Sequence, residues 1–414
     1  MNEQPAESHD RNTRLIRWLT CMMFLIFAMT TDAVGSVIPQ IIQEFRLSMT
    51  AAGAFHYAPM AAIAVGALLL GFLADRLGRK KTIVAGLLLY AFGSGLFALG
   101  SSFGFFLALL ALSGLGISIF KIGALALIGD IADSTSSHTS LMNTLEGFFG
   151  VGSIIGPAIV ITLLNAGLSW KWLYEIAAVI CTVLIVIALM VRYPGARHVE
   201  REKVQLRQTF ALMKDPLALG FSTLVVAYVS VEVAIYVWMP TYLQGYHGPH
   251  PWLSTYALTV FFVLRAAGRF FGAWLLQRVT WTKVLALFGF AIFACFAGSL
   301  AGGVDIGVLL LPLSGLFMSM IYPTLNSKGI SCFHKSHHGA IAGVILFFTA
   351  AAAALAPLAM AAVSDSMGSP RYGFGLATGF ALLLFLGLLA NWLVDPAKGR
   401  LRELDRLEYS VPGS

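Results

Sequence analysis

Twelve blocks of apolar residues, each about as long as a bilayer crossing, constrain this chain more than any other feature. They fall at about 15–39, 50–74, 82–101, 104–130, 140–165, 170–192, 217–244, 252–276, 282–302, 305–327, 339–363 and 373–394. A helix needs roughly 20 residues to cross ~30 Å of hydrocarbon. Lipid offers no water to satisfy backbone N–H and C=O groups, so blocks of this length are expected as helices. The ~10-residue alternation of an outer-membrane barrel strand is absent from them. Charged residues are only 11% of the 414 positions, against about 25% in soluble domains. The first block is long, lacks a small-residue cleavage site and leads straight into the second. It is expected to remain as an anchor and not to be removed as a signal peptide.

An even number of crossings returns both ends to one side, and the basic residues say which. Of the 27 Lys and Arg residues, 21 fall on the side of the N-terminus, while Arg46, Lys171 and Arg371 fall opposite and Lys121, Arg265 and Arg269 lie inside blocks. Basic residues collect in cytoplasmic loops, so both termini are expected in the cytoplasm, and the membrane is expected to be a cell membrane such as the bacterial inner membrane. The same bias accounts for the formal net charge of +7, so nucleic acid is not expected as a partner. The four cysteines, Cys21, Cys181, Cys295 and Cys332, lie in or beside blocks without metal-ligand spacing. They read as small packing residues, and no metal or cofactor is expected.

The longest polar interval, 193–216, follows the sixth block and divides the chain into halves at 1–192 and 217–414. Many transporters are built from two six-helix halves related by an axis along the membrane normal. A faint internal echo fits that scheme: blocks two and eight both end in a Gly-containing stretch followed by basic residues, Gly71 to Lys81 and Gly268 to Lys283.

The first of these stretches reads Gly71-Phe-Leu-Ala-Asp75-Arg76-Leu-Gly78-Arg79-Lys80-Lys81. A helix end and tight turn call for Gly78. Asp75 suits the positive end of a neighbouring helix, and the basic cluster suits anionic headgroups. A plain basic loop would explain the cations but not an acid and two glycines at fixed spacing. The stretch resembles, at every defining position, the loop between helices two and three of the major facilitator superfamily. That resemblance implies an all-α polytopic fold of twelve transmembrane helices in two pseudo-symmetric six-helix halves. It implies that Gly71, Asp75, Arg76, Gly78 and Arg79 form a conformational latch and not a substrate site. The matching stretch of the second half is worn: after Gly272 the chain reads AWLLQRVTWTK, with Gln277 near where the acid would stand. In block five, Gly152-Ser-Ile-Ile-Gly156-Pro157 resembles part of a drug/proton antiporter motif without its following glycine pair. Close helix packing explains it equally well.

Ionisable side chains in a span cost about 2.5–3.5 kcal/mol each on insertion scales and are functional candidates by default. Asp32, Lys121, Glu146, Glu232 and Arg265 lie well inside blocks one, four, five, seven and eight, and Arg269 lies one turn from Arg265. These five are the candidate substrate-binding or ion-coupling residues. In the superfamily those helices face the central cavity, while three, six, nine and twelve face lipid. Each charge also has a structural reading. Asp32 could cap a break near Gly35 and Pro39. Lys121 could pair with Asp32 or Glu146, and Arg265 with Glu232. Arg269 reads as holding the end of its helix.

Within the superfamily, GLGISIFKIGALAL, YVSVEVAIYVWMPTYL, GRFFGAWLLQRV and IYPTLNSKGI resemble the fucose-permease type of sugar/proton symporter. There an acid on helix one and a glutamate on helix four form the polar core of the site. Asp32 occupies the first position, but Lys121 stands in the second. Lys121 and Arg265, in opposite halves, would suit a carboxylate- or phosphate-bearing solute. The leading expectation is a monomeric, proton-coupled transporter of a small polar solute (a sugar, sugar acid or organic acid), with Asp32 or Glu232 carrying the proton. A drug/proton antiporter is the alternative. His334, His337 and His338 read as solvated loop histidines and not an enzyme's metal cluster. No G-x-x-x-x-G-K-[ST] loop is present, so the chain carries no ATP site of that type.

Overall fold

The computed structural model describes residues 4–47, 51, 53–193, 211–243 and 245–409, and among them there is no strand. Most of the expected linker, residues 194–210, lies outside the described residues. Helices α1 (Gln4–Thr31) and α2 (Val34–Phe45) cover the first apolar block and part at Asp32 and Ala33. Helix α3 (Ala54–Leu70) and the short α4 (Leu73–Leu77) cover the second. Then come α5 (Arg79–Gly95), α6 (Phe103–Ile131), α7 (Thr135–Asn165) and α8 (Trp172–Met190). Helix α9 (Pro216–Val233) runs through a π-helical turn at Ala234–Trp238 into α10 (Met239–Leu243). The rest are α11 (Trp252–Leu275), α12 (Trp281–Met318), α13 (Ile321–Ser331), α14 (His338–Met367), α15 (Pro370–Val394) and the short α16 (Lys398–Leu404).

Among the described residues each of the twelve apolar blocks falls largely on helix, and nine helices are long and apolar enough to cross a membrane. The starts are set by local chemistry. Asp215 caps α9 through the Leu217 and Ala218 N–H groups at 2.8 and 3.2 Å, with Pro216 at the first helical position. Ser369 and Pro370 start α15 in the same way. Blocks nine and ten share the run Trp281–Met318, which as one straight helix would measure about 57 Å. Gly303 interrupts it with φ 69° and ψ −161°, a conformation a side chain would penalise. The break falls between the two blocks that the sequence separates.

The chain divides into two compact units. One comprises Met1–Asp133, Val151–Lys214 and Phe333–Phe347; the other comprises Ser134–Gly150, Asp215–Cys332 and Phe348–Ser414. Helices α7 and α14 therefore each contribute one part to either unit.

In the first unit α6 packs on α3 and α5, and α8 on α5 and α1. Helix α7 approaches α1 at backbone distance: a Cβ on Gly152 would meet the Leu25 carbonyl, and one on Gly156 the Met29 carbonyl. Both pairs repeat every four residues, so one glycine stripe lies along one face of α1. This is the use to which the Gly152–Pro157 stretch is put. Gly152→Val is expected to cost about 1–3 kcal/mol by overpacking. Thermal unfolding in detergent should show the loss, with Gly220→Ala, whose Cβ position is open, unchanged. In the second unit α15 packs on α12 and α9, α11 on α12, and α9 on α13.

Candidate functional site

The Gly71–Lys81 loop is built in the first unit. Gly78 takes φ 88° and ψ 157°, ending α4 and starting α5 within one residue. That turn folds Asp75 and Arg79 together, with Arg79 Nη1 donating to Asp75 Oδ1 at 2.7 Å. Asp75 also accepts the Gly339 and Ala340 N–H groups at 3.2 and 3.0 Å. These belong to the first turn of α14, where unpaired donors and the helix dipole favour an anion. Arg79 is buried and donates further to Asp130 at 2.8 Å and to the Ala74 and Lys335 carbonyls at 2.9 and 2.8 Å. Burial pushes the Asp75 carboxyl up, to about 6, against the opposing pull of Arg79 and the two N–H groups. Lys80 completes the loop by donating to the Leu189 and Val191 carbonyls at the C-terminus of α8. Arg76 is exposed, so among the two arginines Arg79 carries the ion pairs. Its partner Asp130 gives no cue in the sequence beyond an acid at the end of block four.

In the same unit, Asp32 sits half-buried where α1 gives way to α2. Its Oδ1 accepts from the Thr31 hydroxyl at 3.0 Å and its Oδ2 from the Ser153 hydroxyl at 2.5 Å. Ser153 follows Gly152, so the glycine stripe of α7 delivers that hydroxyl to the carboxylate. Among the described residues the polar partners of Asp32 are these two hydroxyls, and Lys121 is not one of them. Lys121 is half-buried on α6 with its Nζ 5.8 Å from the centre of the Phe24 ring. Phe24 lies eight residues before Asp32, about 12 Å along a helix. A polar pair of Thr30 and Tyr90, with hydroxyls 2.6 Å apart, lies nearby on α1 and α5.

The remaining charges meet in the second unit. Glu232 and Arg265 are both buried and form an ion pair. Tyr228, one turn earlier on α9, places its hydroxyl 2.9 Å from Glu232 Oε1 and 3.0 Å from the Met318 carbonyl. Glu232 stands two residues before the π-helical turn, a distortion frequent at functional sites. Arg269 is fully buried. It donates through Nε to the Ser319 carbonyl at 3.2 Å and through Nη1 to the Glu146 carbonyl at 2.5 Å, with the Glu146 carboxylate at 3.6 Å. Glu146 is thus brought to Arg269, not to Lys121. Sequence reasoning placed Tyr228 near Glu232 without pairing them and missed Ser153 as a partner; for Tyr228 there was a signal. The i, i+4 spacing of Tyr228 and Glu232 could have found that pair.

His338 corrects an expectation: it is buried, not solvated. It opens α14, packs on Gly129 and places Nε2 3.0 Å from the Phe333 carbonyl. His334 is exposed. Among the described residues no group of three His, Cys, Asp or Glu side chains could hold a metal, and the four cysteines are buried.

A sequence profile described as the Major Facilitator Superfamily matches residues 20–357. The chain belongs to this superfamily. Among similar proteins, the L-fucose-proton symporter of Escherichia coli strain K12 is 24% identical, over 75% of this chain and 78% of its own length. A glucose/galactose transporter of Brucella abortus is 23% identical over 89% of this chain and 92% of its own. Among solved structures, the major facilitator FucP in its outward conformation superposes with a TM-score of 0.78 at 21% identity, covering 94% of this chain and 99% of that one. The proton:xylose symporter XylE superposes at 0.77 with 11% identity, covering 96% and 99%. At such identities the likeness speaks for the fold. The chain is a helical membrane transporter of the Major Facilitator Superfamily and not an enzyme.

Proposed function

We propose that the chain is a proton-coupled importer of a small polar solute bearing an acidic group, working by alternating access. Two six-helix halves, 1–192 and 217–414, would rock about a site near the bilayer midplane of a bacterial inner membrane. Both termini would be cytoplasmic and one copy would suffice. The observation that carries the reading is Asp32: a half-buried carboxylate at a helix break, held by two hydroxyls and, among the described residues, by no cation. Hydroxyls donate to the ionised acid and accept from the protonated one, so they serve both states of a proton carrier. Glu232 is the weaker candidate because it is already held in an ion pair with the Arg265 guanidinium.

The acidic group on the solute follows from the two basic candidates. Lys121 and Arg265 are cations on opposite halves of the chain, and a carboxylate or phosphate on the solute would suit such a pair. Relatives of this type transport fucose, glucose and galactose, so a sugar acid satisfies both lines of argument. The efflux reading loses its motif, because Gly152 and Gly156 are engaged against α1.

Uptake into proteoliposomes under an imposed pH gradient, across sugars, sugar acids and carboxylates, tests the proposal. Lys121→Ala is expected to raise KM for acidic solutes at least about tenfold, the order of one charge-assisted hydrogen bond, and to leave neutral sugars untouched. Transport of neutral sugars alone, with selectivity unchanged in the variant, would refute the acidic-solute reading. Exchange independent of the gradient would remove proton coupling.

A further inference from the structure

A second helix N-terminus is held as α14 is, and the residue holding it comes from the far end of the chain. The first N–H groups of a helix have no partner within it. At α7, the Ser134 hydroxyl accepts one of them, from Ser137 at 3.0 Å. Asp405 takes another: Oδ1 accepts the Thr135 N–H at 3.0 Å and Oδ2 the Thr135 hydroxyl at 3.1 Å. Asp405 directly follows α16, which is seated by the buried side chains of Leu401 and Leu404 and by Arg400, whose Nε donates to the Cys332 carbonyl at 3.1 Å. Buried Lys328 on α13 donates to the Thr135 carbonyl at 3.1 Å. All of these residues lie in the second unit.

The sequence explains why the tail is needed. In the loop after Gly71, Asp75 supplies the carboxylate for α14. In the matching loop after Gly272, Gln277 stands near the acid's place. It is neutral, and its Nε2 reaches the Ser140 hydroxyl at 3.5 Å, more than one turn inside α7. An amide there offers no charge to the positive end of the helix.

We propose that Asp405 is the carboxylate of a second latch, with the C-terminal tail doing for α7 what the worn loop no longer does. Asp405 is then a positioning residue for the transport cycle. It holds the first turn of α7 against α13 in one half-cycle and releases it in the other. The inference rests on the alternating-access reading, but its test requires neither solute nor proton gradient.

Ser327 on α13 is covered by that first turn, with its hydroxyl 2.6 Å from His138 Nδ1 and 2.9 Å from the Thr139 hydroxyl. A cysteine there reports departure of α7. The experiment uses the full-length chain in inverted membrane vesicles, with Ser327→Cys and the four native cysteines changed to serine, and follows the rate of N-ethylmaleimide labelling. Asp405→Ala is expected to raise the rate about 5- to 30-fold, the range one cap of this kind commands. Asp405→Glu, which keeps the charge, should raise it by less than about threefold, and Arg402→Gln, on the exposed face of α16, not at all. Should Asp405→Ala fail to accumulate, Thr135→Ala removes only the hydroxyl contact and should give a smaller rise of about two- to fivefold. Labelling at the parent rate in the variant that accumulates, or an equal rise in Arg402→Gln, overturns the second latch. Failure of proton-driven uptake in an otherwise latched protein would instead strike the transport reading.

Discussion

Asp32→Asn should abolish accumulation while sparing exchange. A carboxamide can still accept the Ser153 hydroxyl that Asp32 holds at 2.5 Å, so the junction of α1 and α2 keeps its local bonding. What the substitution removes is a site where a proton can come and go. A one-unit pH difference is worth about 1.4 kcal/mol per proton, or about tenfold accumulation for a one-to-one symporter. In proteoliposomes the variant should reach a ratio of about one under that gradient, yet still equilibrate labelled against unlabelled solute. Retained uphill uptake would transfer the proton to another acid, and Glu232 would be the next to test.

Arg269→Ala is expected to destabilise the protein more than any other single change named here. Arg269 is fully buried and answers the Ser319 carbonyl, the Glu146 carbonyl and the Glu146 carboxylate at once. Its removal strands a buried acid, at a cost of about 3–5 kcal/mol. Replacing both charges with neutral groups of similar shape, as in Glu146→Gln with Arg269→Met, should cost much less, because the penalty lies in the unmatched charge. Thermal unfolding in detergent, read by intrinsic fluorescence, compares the two. A single variant as stable as the double would show that the pair is not coupled. The argument also separates Arg269 from Arg265. The two share a helix face one turn apart, yet Arg265 answers to Glu232 and Arg269 to Glu146.

The fold was legible because its cause is repetitive. Twelve apolar blocks must be helical in lipid, and even the division between the ninth and tenth is marked by Gly303, whose backbone leaves the helical region where hydropathy pauses. The Gly71–Lys81 loop was legible for a different reason: Asp75, Gly78 and Arg79 sit within five residues, so the turn that joins them is local. Partner choice was much less so. Glu146 could be matched from the sequence with any cation, and its partner Arg269 lies 123 residues away. Asp130 and Asp405 gave no warning, since an acid beside a helix end resembles ordinary loop composition until its partner, Arg79 for one and the start of α7 for the other, is brought to it. His338 misled because a cluster of histidines in a polar loop looks solvated, whereas the last of them begins a buried helix.

Tyr228 imposes a constraint of simple counting. Its hydroxyl owns a single hydrogen, and two acceptors lie at nearly equal range: Glu232 Oε1 on its own helix and the Met318 carbonyl, where α12 yields to α13. While Glu232 is ionised both compete for that hydrogen, and one of them goes short. A proton arriving on Glu232 reverses the direction of the first bond, so that the acid donates to the phenol oxygen and the phenol serves the carbonyl alone. Whether the backbone at that break is satisfied thus turns on which way one hydrogen points, a choice made by an ion that never touches the break itself.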